Sequence, residues 1–156
     1  MKQLKGIAET KNSVIVDKND FSEKIMLDIS NKDAYDNFNK NIPRKSGLYF
    51  FYNKEDKCVY VGISTKDIKE RIYRHMFAKI GSPSNKFGKK DSVYKETGVS
   101  KHRKEISHVR YMLTDNGAQA KMLETYFINV LTPAYNIQEN WGLLKDELAD
   151  FNFDED

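Results

Sequence analysis

The sequence of 156 residues predicts an α/β domain of the α+β type, a small three-stranded antiparallel sheet flanked by helices. Three observations carry that prediction. Residues 48–52 and 58–63 are apolar, aromatic and β-branched runs separated by Asn53-Lys54-Glu55-Asp56, which is the pattern of a hairpin. Residues 106–113 alternate as a third strand does. Ile68, Ile72 and Met76 recur at helical spacing just after the hairpin, and residues 116–131 carry a second, wider apolar stripe.

Taken in order, residues 13–17 suggest a short strand through the β-branched Val14-Ile15-Val16, and residues 33–41 a short helix displaying Tyr35 and Phe38. Pro43-Arg44-Lys45-Ser46 reads as a turn into the first core strand. A hairpin centred between Lys54 and Glu55 sets Tyr49 opposite Tyr60, with both phenols on one face, bracketed by Gly47 and Gly62. Ser64 or Thr65 caps the following helix, with Asp67 in its first turn where the dipole favours an anion. Arg71 and His75, four apart, share one face of that helix.

Residues 81–90 form a loop rich in turn formers and lysine, and a loop of that length in a compact domain is more often functional than idle. Residues 92–105 are ambiguous, with Ser100 a cap for a short helix holding Lys101, His102, Arg103 and Lys104. The third strand places Ile106, His108, Arg110 and Met112 on one face and Ser107, Val109, Tyr111 and Leu113 on the other. Thr114 or Asp115 caps the second major helix, whose stripe of Met122, Leu123, Tyr126, Phe127, Val130 and Leu131 stops before Pro133. Trp141 is expected to pack the C-terminal segment onto the core. The organisation expected is an N-terminal extension over 1–45, a core domain over 46–140 and an acidic tail over 141–156.

Composition narrows the function. Charged residues are 31% of the chain and the mean hydropathy is −0.72. No apolar run approaches the roughly 20 residues that cross a bilayer, and the first residues do not lead into an apolar signal core. Cys58 is the single cysteine, which excludes an internal disulfide and a cysteine-rich metal cluster and suits a reducing, cytoplasmic setting. The net charge of +3 hides a division: residues 1–144 hold 25 Lys or Arg against 17 Asp or Glu, while residues 145–156 hold six acids against Lys145. Residues 64–110 alone carry 13 basic and five acidic side chains. A basic excess concentrated in one segment favours a polyanionic partner, because neutralised phosphates release condensed counterions.

Gly47-Leu48-Tyr49, ten residues, Tyr60-Val61-Gly62, then Arg71 and His75, resembles the GIY-YIG nuclease family. That family is described by a Gly-aliphatic-Tyr triplet, about ten residues, and a Tyr-aliphatic-Gly triplet, followed by a helix with an essential Arg. Glu124 and Asn136 match its later metal-binding Glu and its following Asn, so the likeness runs from about residue 46 to 137. The resemblance implies a metal-dependent DNA endonuclease with Tyr49, Tyr60, Arg71, His75, Glu124 and Asn136 as its site. Glu124 would hold one Mg2+ or Mn2+, hard cations that take oxygen ligands and keep several waters. On the residues alone Glu124 is a carboxylate at the boundary of an apolar stripe, and Asn136 a turn residue.

The chemistry fits the residue types. Arg71 can donate two parallel hydrogen bonds to phosphate oxygens and stays charged at any working pH. The family resemblance points to Tyr49 or Tyr60 as general base, although a free phenol with a pKa of about 10 needs a nearby cation to serve. His75 is an alternative that shares the role or positions phosphate, and Lys66 or Lys69 a further one. The basic residues expected on the nucleic-acid backbone are Arg74, Lys86, Lys89, Lys90, Lys101, Arg103 and Lys104. Three functions stay open: a sequence-specific nuclease of restriction or mobile-element type acting as a homo-oligomer, a structure-selective repair or recombination nuclease, and a noncatalytic nucleic-acid-binding domain.

Overall fold

A computed structural model describes residues 18–84, 86–87 and 92–136. The short strand expected over 13–17, Lys89, Lys90, Trp141 and the acidic tail lie outside these residues. The element order is β1 (Ile25–Met26), α1 (Ala34–Asn41), β2 (Gly47–Tyr52), β3 (Cys58–Ser64), α2 (Ile68–Met76), a 3-10 turn (Ser100–Glu105), β4 (His108–Leu113) and α3 (Gly117–Leu131). The sheet is antiparallel with strand order β1-β4-β2-β3, so among the described residues it has four strands rather than the expected three. The fourth comes from the N-terminal extension, where Ile25 and Met26 pair with Val109 and His108.

Strand β2 is central and covered on both faces, which explains why its sequence, Gly-Leu-Tyr-Phe-Phe-Tyr, is a continuous apolar run. Tyr49 and Phe51 enter one core with Tyr60, Ile68, Ile72, Met76 and Val109, beneath α1 and α2. Leu48, Phe50 and Tyr52 enter the other with Val61, Met112, Leu123 and Phe127, beneath α3. Phe21 joins the second core, while Leu27, Phe38 and Ile42 join the first, so residues 21–42 are packed into the domain. The predicted helix with Phe38 buried is thus present as α1.

The hairpin differs from expectation in register. Tyr49 pairs with Gly62 and Tyr60 with Phe51, so the two phenols are diagonal rather than direct neighbours. The connection from Asn53 to Lys57 is five residues long, closed by Asn53 N–H donating to the Lys57 carbonyl and by Asp56 at φ 61°. An odd connection alone would turn Tyr60 to the face opposite Tyr49. A bulge restores it: Tyr52 pairs with Cys58 but Phe51 with Tyr60, so Val59 is the extra residue, and Val59 and Tyr60 both enter the same core.

Both long helices start later than predicted. The N-cap of α2 is Asp67, whose side chain accepts the Glu70 N–H, while Ser64 Oγ accepts the Lys66 and Asp67 N–H groups in the approach. The N-cap of α3 is Asn116, accepting the Gln119 N–H, and Gln119 returns a bond to the Asp115 N–H. The α3 stripe is narrower than expected, with Ala120, Leu123 and Phe127 buried and Met122 exposed. Ile106 leaves the alternation of β4 because it precedes the strand and packs under α2's core.

Candidate active site

The site stands on the Tyr49 face of the hairpin, and a glycine makes room for it. A Cβ at Gly62 would lie 2.3 Å from Tyr49 Cζ and 2.4 Å from Tyr49 Oη. The Tyr49 ring therefore crosses the Gly62 backbone at a distance that no other residue permits. Its hydroxyl lies 2.8 Å from His75 Nε2, and the Arg71 side chain is hydrogen-bonded to Tyr49 as well. The Tyr60 ring is 6.2 Å from that of Tyr49 and 5.6 Å from His75, centroid to centroid. Helical spacing places Arg71 and His75 together, and bulged hairpin pairing brings both tyrosines to them.

Burial sets the electrostatics. His75 is 2% exposed, and loss of solvent, followed by the positive charges of Arg71, Arg74 and Arg103, pushes its pKa down to about 3. It is a neutral ring at neutral pH. Both its nitrogens are engaged, Nε2 by Tyr49 and Nδ1 by Thr97 Oγ1 at 2.8 Å. Both ring nitrogens are therefore occupied within the domain, and the link from His75 to the hairpin runs through Tyr49. Burial opposes the charge of half-buried Arg71, but the Tyr49 and Tyr60 oxygens, the bond to Tyr49 and Glu70 hold its pKa above the ordinary arginine value. Its guanidinium has five N–H donors, more than Tyr49 can use.

Asn136 is 3% exposed and serves the same strand from outside. Its Oδ1 accepts the Val61 N–H at 2.7 Å and its Nδ2 donates to the Val61 carbonyl at 2.8 Å. Because β3 is the edge strand, these two groups face away from β2, and the amide closes the open edge between Tyr60 and Gly62. Sequence alone would leave Asn136 in a turn; its amide instead pairs with the backbone like a further strand residue.

Glu124 sits half-buried on α3, which packs on the other face of the sheet with β3 as its main support. The strand that carries Tyr60 is thus shared by the tyrosine cluster and by the helix of Glu124. Among the described residues no three His, Cys, Asp or Glu side chains gather into a metal cage. A single carboxylate on a helix does not suit zinc, whose sites gather three or four protein ligands rich in nitrogen and sulfur. It does suit Mg2+, which keeps several waters and uses one or two carboxylates with substrate phosphates.

The basic residues divide into two groups. Lys101 and Lys104 are exposed on the 3-10 turn. Arg74 pairs with Glu70, four residues earlier on α2. Lys86 lies over the rings of Tyr35 and Tyr73, 4.5 and 4.8 Å from their centroids, and its hydrogen bond to Tyr35 raises its pKa. Arg103 turns inward, donating to the Ala78 carbonyl at 3.0 Å with Nη2 buried, and burial lowers its pKa against the opposing pull of Glu96. Arg74 and Arg103 are therefore committed within the domain, to a carboxylate of α2 and a carbonyl just past its end, while Lys86 is exposed and lies over one ring of α1 and one of α2.

Comparison with known proteins shows the family. The family model for the GIY-YIG catalytic domain matches residues 45–136. The chain belongs to the GIY-YIG family. Among curated relatives, UvrABC system protein C of Campylobacter jejuni is 33% identical over 116 residues, covering 74% of this chain and 17% of that protein. Its counterpart from Bacteroides fragilis is 34% identical over 107 residues, covering 69% of this chain and 14% of that protein. The GIY-YIG chain thus spans about a sixth of the length of such relatives. A solved structure of the GIY-YIG N-terminal endonuclease domain of UvrC from Thermotoga maritima, bound to magnesium as its catalytic divalent cation, aligns with TM-score 0.44 at 21% identity, covering 63% of this chain and 93% of that one.

Two residues of this GIY-YIG site escape the sequence reading. Glu70, 7% exposed, is the buried carboxylate beside Arg71 and Arg74. Thr97 holds the far side of His75. The spacing Thr97-x-x-Ser100 carries a signal for the second, since a hydroxyl pair three apart often marks the entry to a helical turn.

Proposed function

We propose that this GIY-YIG domain is a metal-dependent endonuclease that hydrolyses phosphodiester bonds in DNA. The observation that carries the reading is the convergence of Arg71 and His75 on the Tyr49 oxygen, over a glycine that admits the ring. Arg71 binds the phosphate through the donors that Tyr49 leaves unused and stabilises its charge in the transition state. Tyr49, as the phenolate left once its own proton has passed to solvent, takes the proton from the attacking water, and Tyr60, across the same face, helps to orient that water. The water oxygen bonds to phosphorus while the ester oxygen departs with its electron pair and takes a proton from solvent. Glu124 would hold the divalent cation, Mg2+ or Mn2+, which when bound stabilises the phosphate and the leaving oxygen. Asn136 keeps β3, and with it Tyr60 and Gly62, in register.

Lys86, Lys101 and Lys104 supply exposed contacts for the DNA backbone, while Arg74 and Arg103 contribute field rather than contact. The kinship with proteins named as component C of the UvrABC system favours a repair-type nuclease over a restriction-type one. The test is conversion of supercoiled plasmid by the purified chain with Mg2+, Mn2+ or EDTA, in parallel with Glu124→Ala. Metal-dependent nicking that Glu124→Ala abolishes is the expected result. DNA binding without cleavage of plasmid, branched or single-stranded substrates would overturn the reading in favour of a binding module.

A further inference from the structure

Thr97 belongs to the insertion between α2 and β4, yet its side chain is tied to the catalytic tyrosine through one histidine. Thr97 Oγ1 lies 2.8 Å from His75 Nδ1 and also accepts the Ser100 N–H at 3.0 Å. Ser100 Oγ accepts the Thr97 N–H at 2.7 Å and donates its own proton to the Thr97 carbonyl at 2.9 Å. This reciprocal pair uses the Ser100 proton inside the turn and fixes the Thr97 oxygen in space. The Thr97 proton remains, and the acceptor standing within hydrogen-bond distance of it is His75 Nδ1.

A neutral imidazole carries one N–H, so the bond at one ring nitrogen decides the state of the other. If Thr97 donates to Nδ1, the ring proton resides on Nε2 and points at Tyr49 Oη, 2.8 Å away. Arg71 is hydrogen-bonded to the same tyrosine, and an arginine can only donate. The phenol oxygen then receives two N–H groups, an arrangement that favours negative charge on it. In the other tautomer Tyr49 would donate to Nε2. Taking a proton from water would then leave an imidazolium enclosed among Arg71, Arg74 and Arg103, whose charges oppose it.

We propose that Thr97 is a positioning residue that holds His75 as its Nε2–H tautomer, so that His75 and Arg71 both donate to Tyr49 and prepare its oxygen to accept the proton of the attacking water. The part played by Tyr49 rests on the nuclease reading, whereas the tautomer stands apart from it. The Thr97–Ser100 turn thereby gives the insertion a role in catalysis separate from the DNA contacts of its lysines.

The experiment is a long-range 1H–15N correlation spectrum of the full chain at pH 7, with the three histidines told apart by His75→Gln. The expected His75 pattern is protonated Nε2 and bare Nδ1 in the wild type and in Thr97→Ser, with loss of that preference in Thr97→Val. Cleavage should fall about tenfold to a hundredfold in Thr97→Val, the range typical of orienting partners, and recover in Thr97→Ser. A wild-type ring protonated at Nδ1 overturns the proposal, as does a pattern unchanged in a folded Thr97→Val. Should Thr97→Val not fold, judged by its amide spectrum, the wild-type pattern decides. Absence of cleavage by the wild type on every DNA tested would overturn the nuclease reading and leave the tautomer result intact.

Discussion

Leu48, Phe50 and Tyr52 leave β2 on one face, Tyr49 and Phe51 on the other, and burial alone does not tell the two faces apart. Chemistry does. On the first face Phe50 meets Phe127 edge-on at 5.1 Å and Phe21 at 5.2 Å, a packed aromatic layer with no polar atom among the three rings. On the second, the Tyr49 hydroxyl, the His75 ring and the Arg71 guanidinium share one hydrogen-bonded network. One face contributes stability through area and shape; the other holds polar groups whose burial is tolerated because each has a partner. The difference teaches that alternation along one strand can set an aromatic layer on one side and a hydrogen-bonded polar cluster on the other, with α3 on the aromatic side carrying Glu124.

The sharpest way to break this comparison is Tyr49→Phe, which keeps the ring over Gly62 and removes only the oxygen. DNA cleavage should fall by about a hundredfold to ten-thousandfold, and stability by about 1–3 kcal/mol, as the His75 nitrogen loses its partner. A wild-type cleavage rate in this variant would remove the Tyr49 face from the chemistry. Phe127→Ala probes the opposite face. It should cost about 3–5 kcal/mol of stability in urea titration, with the folded fraction still cutting DNA near the wild-type rate; a loss of cleavage comparable to that of Tyr49→Phe would show the faces to be coupled.

Acid sharpens the comparison further. An unfolded histidine binds a proton below about pH 6.5, whereas native His75 does so only near pH 3. Between those values the unfolded chain holds more protons than the folded one. The stability associated with a neutral buried His75 is therefore fully present above the unfolded pKa and is lost as pH falls, by up to about 1.4 kcal/mol per pH unit. Urea midpoints from pH 7 to pH 4 should drop more steeply for the wild type than for His75→Gln, and parallel slopes would count against a buried neutral ring.

How much of this was legible in sequence varies with the range of the interaction. The hairpin, both long helices and the stripe of Ile68, Ile72 and Met76 follow from local periodicity, and Arg71 with His75 follows from a four-residue spacing. The helix starts were misplaced because several hydroxyl and carboxylate residues cluster at each entry, and tertiary packing chooses among them. Asp67 prevails at α2 and Asn116 at α3. The fourth strand was not located at Ile25 and Met26 because two residues carry no pattern until β4 is beside them.

By itself the sequence determined the residue types of the site and their order along the chain, because the triplets, the Arg-x-x-x-His spacing, Glu124 and Asn136 are local features. The tertiary structure decided how Tyr49, Tyr60, Arg71 and His75 meet. A one-residue bulge at Val59 offsets an odd connection and returns Tyr60 to the Tyr49 face, and only a paired strand can express that compensation. Burial decided that His75 is neutral and enclosed rather than a free base, and that Arg103 turns inward instead of out. These outcomes depend on which groups end up desolvated together, and that is a property of the packed domain rather than of any stretch of chain.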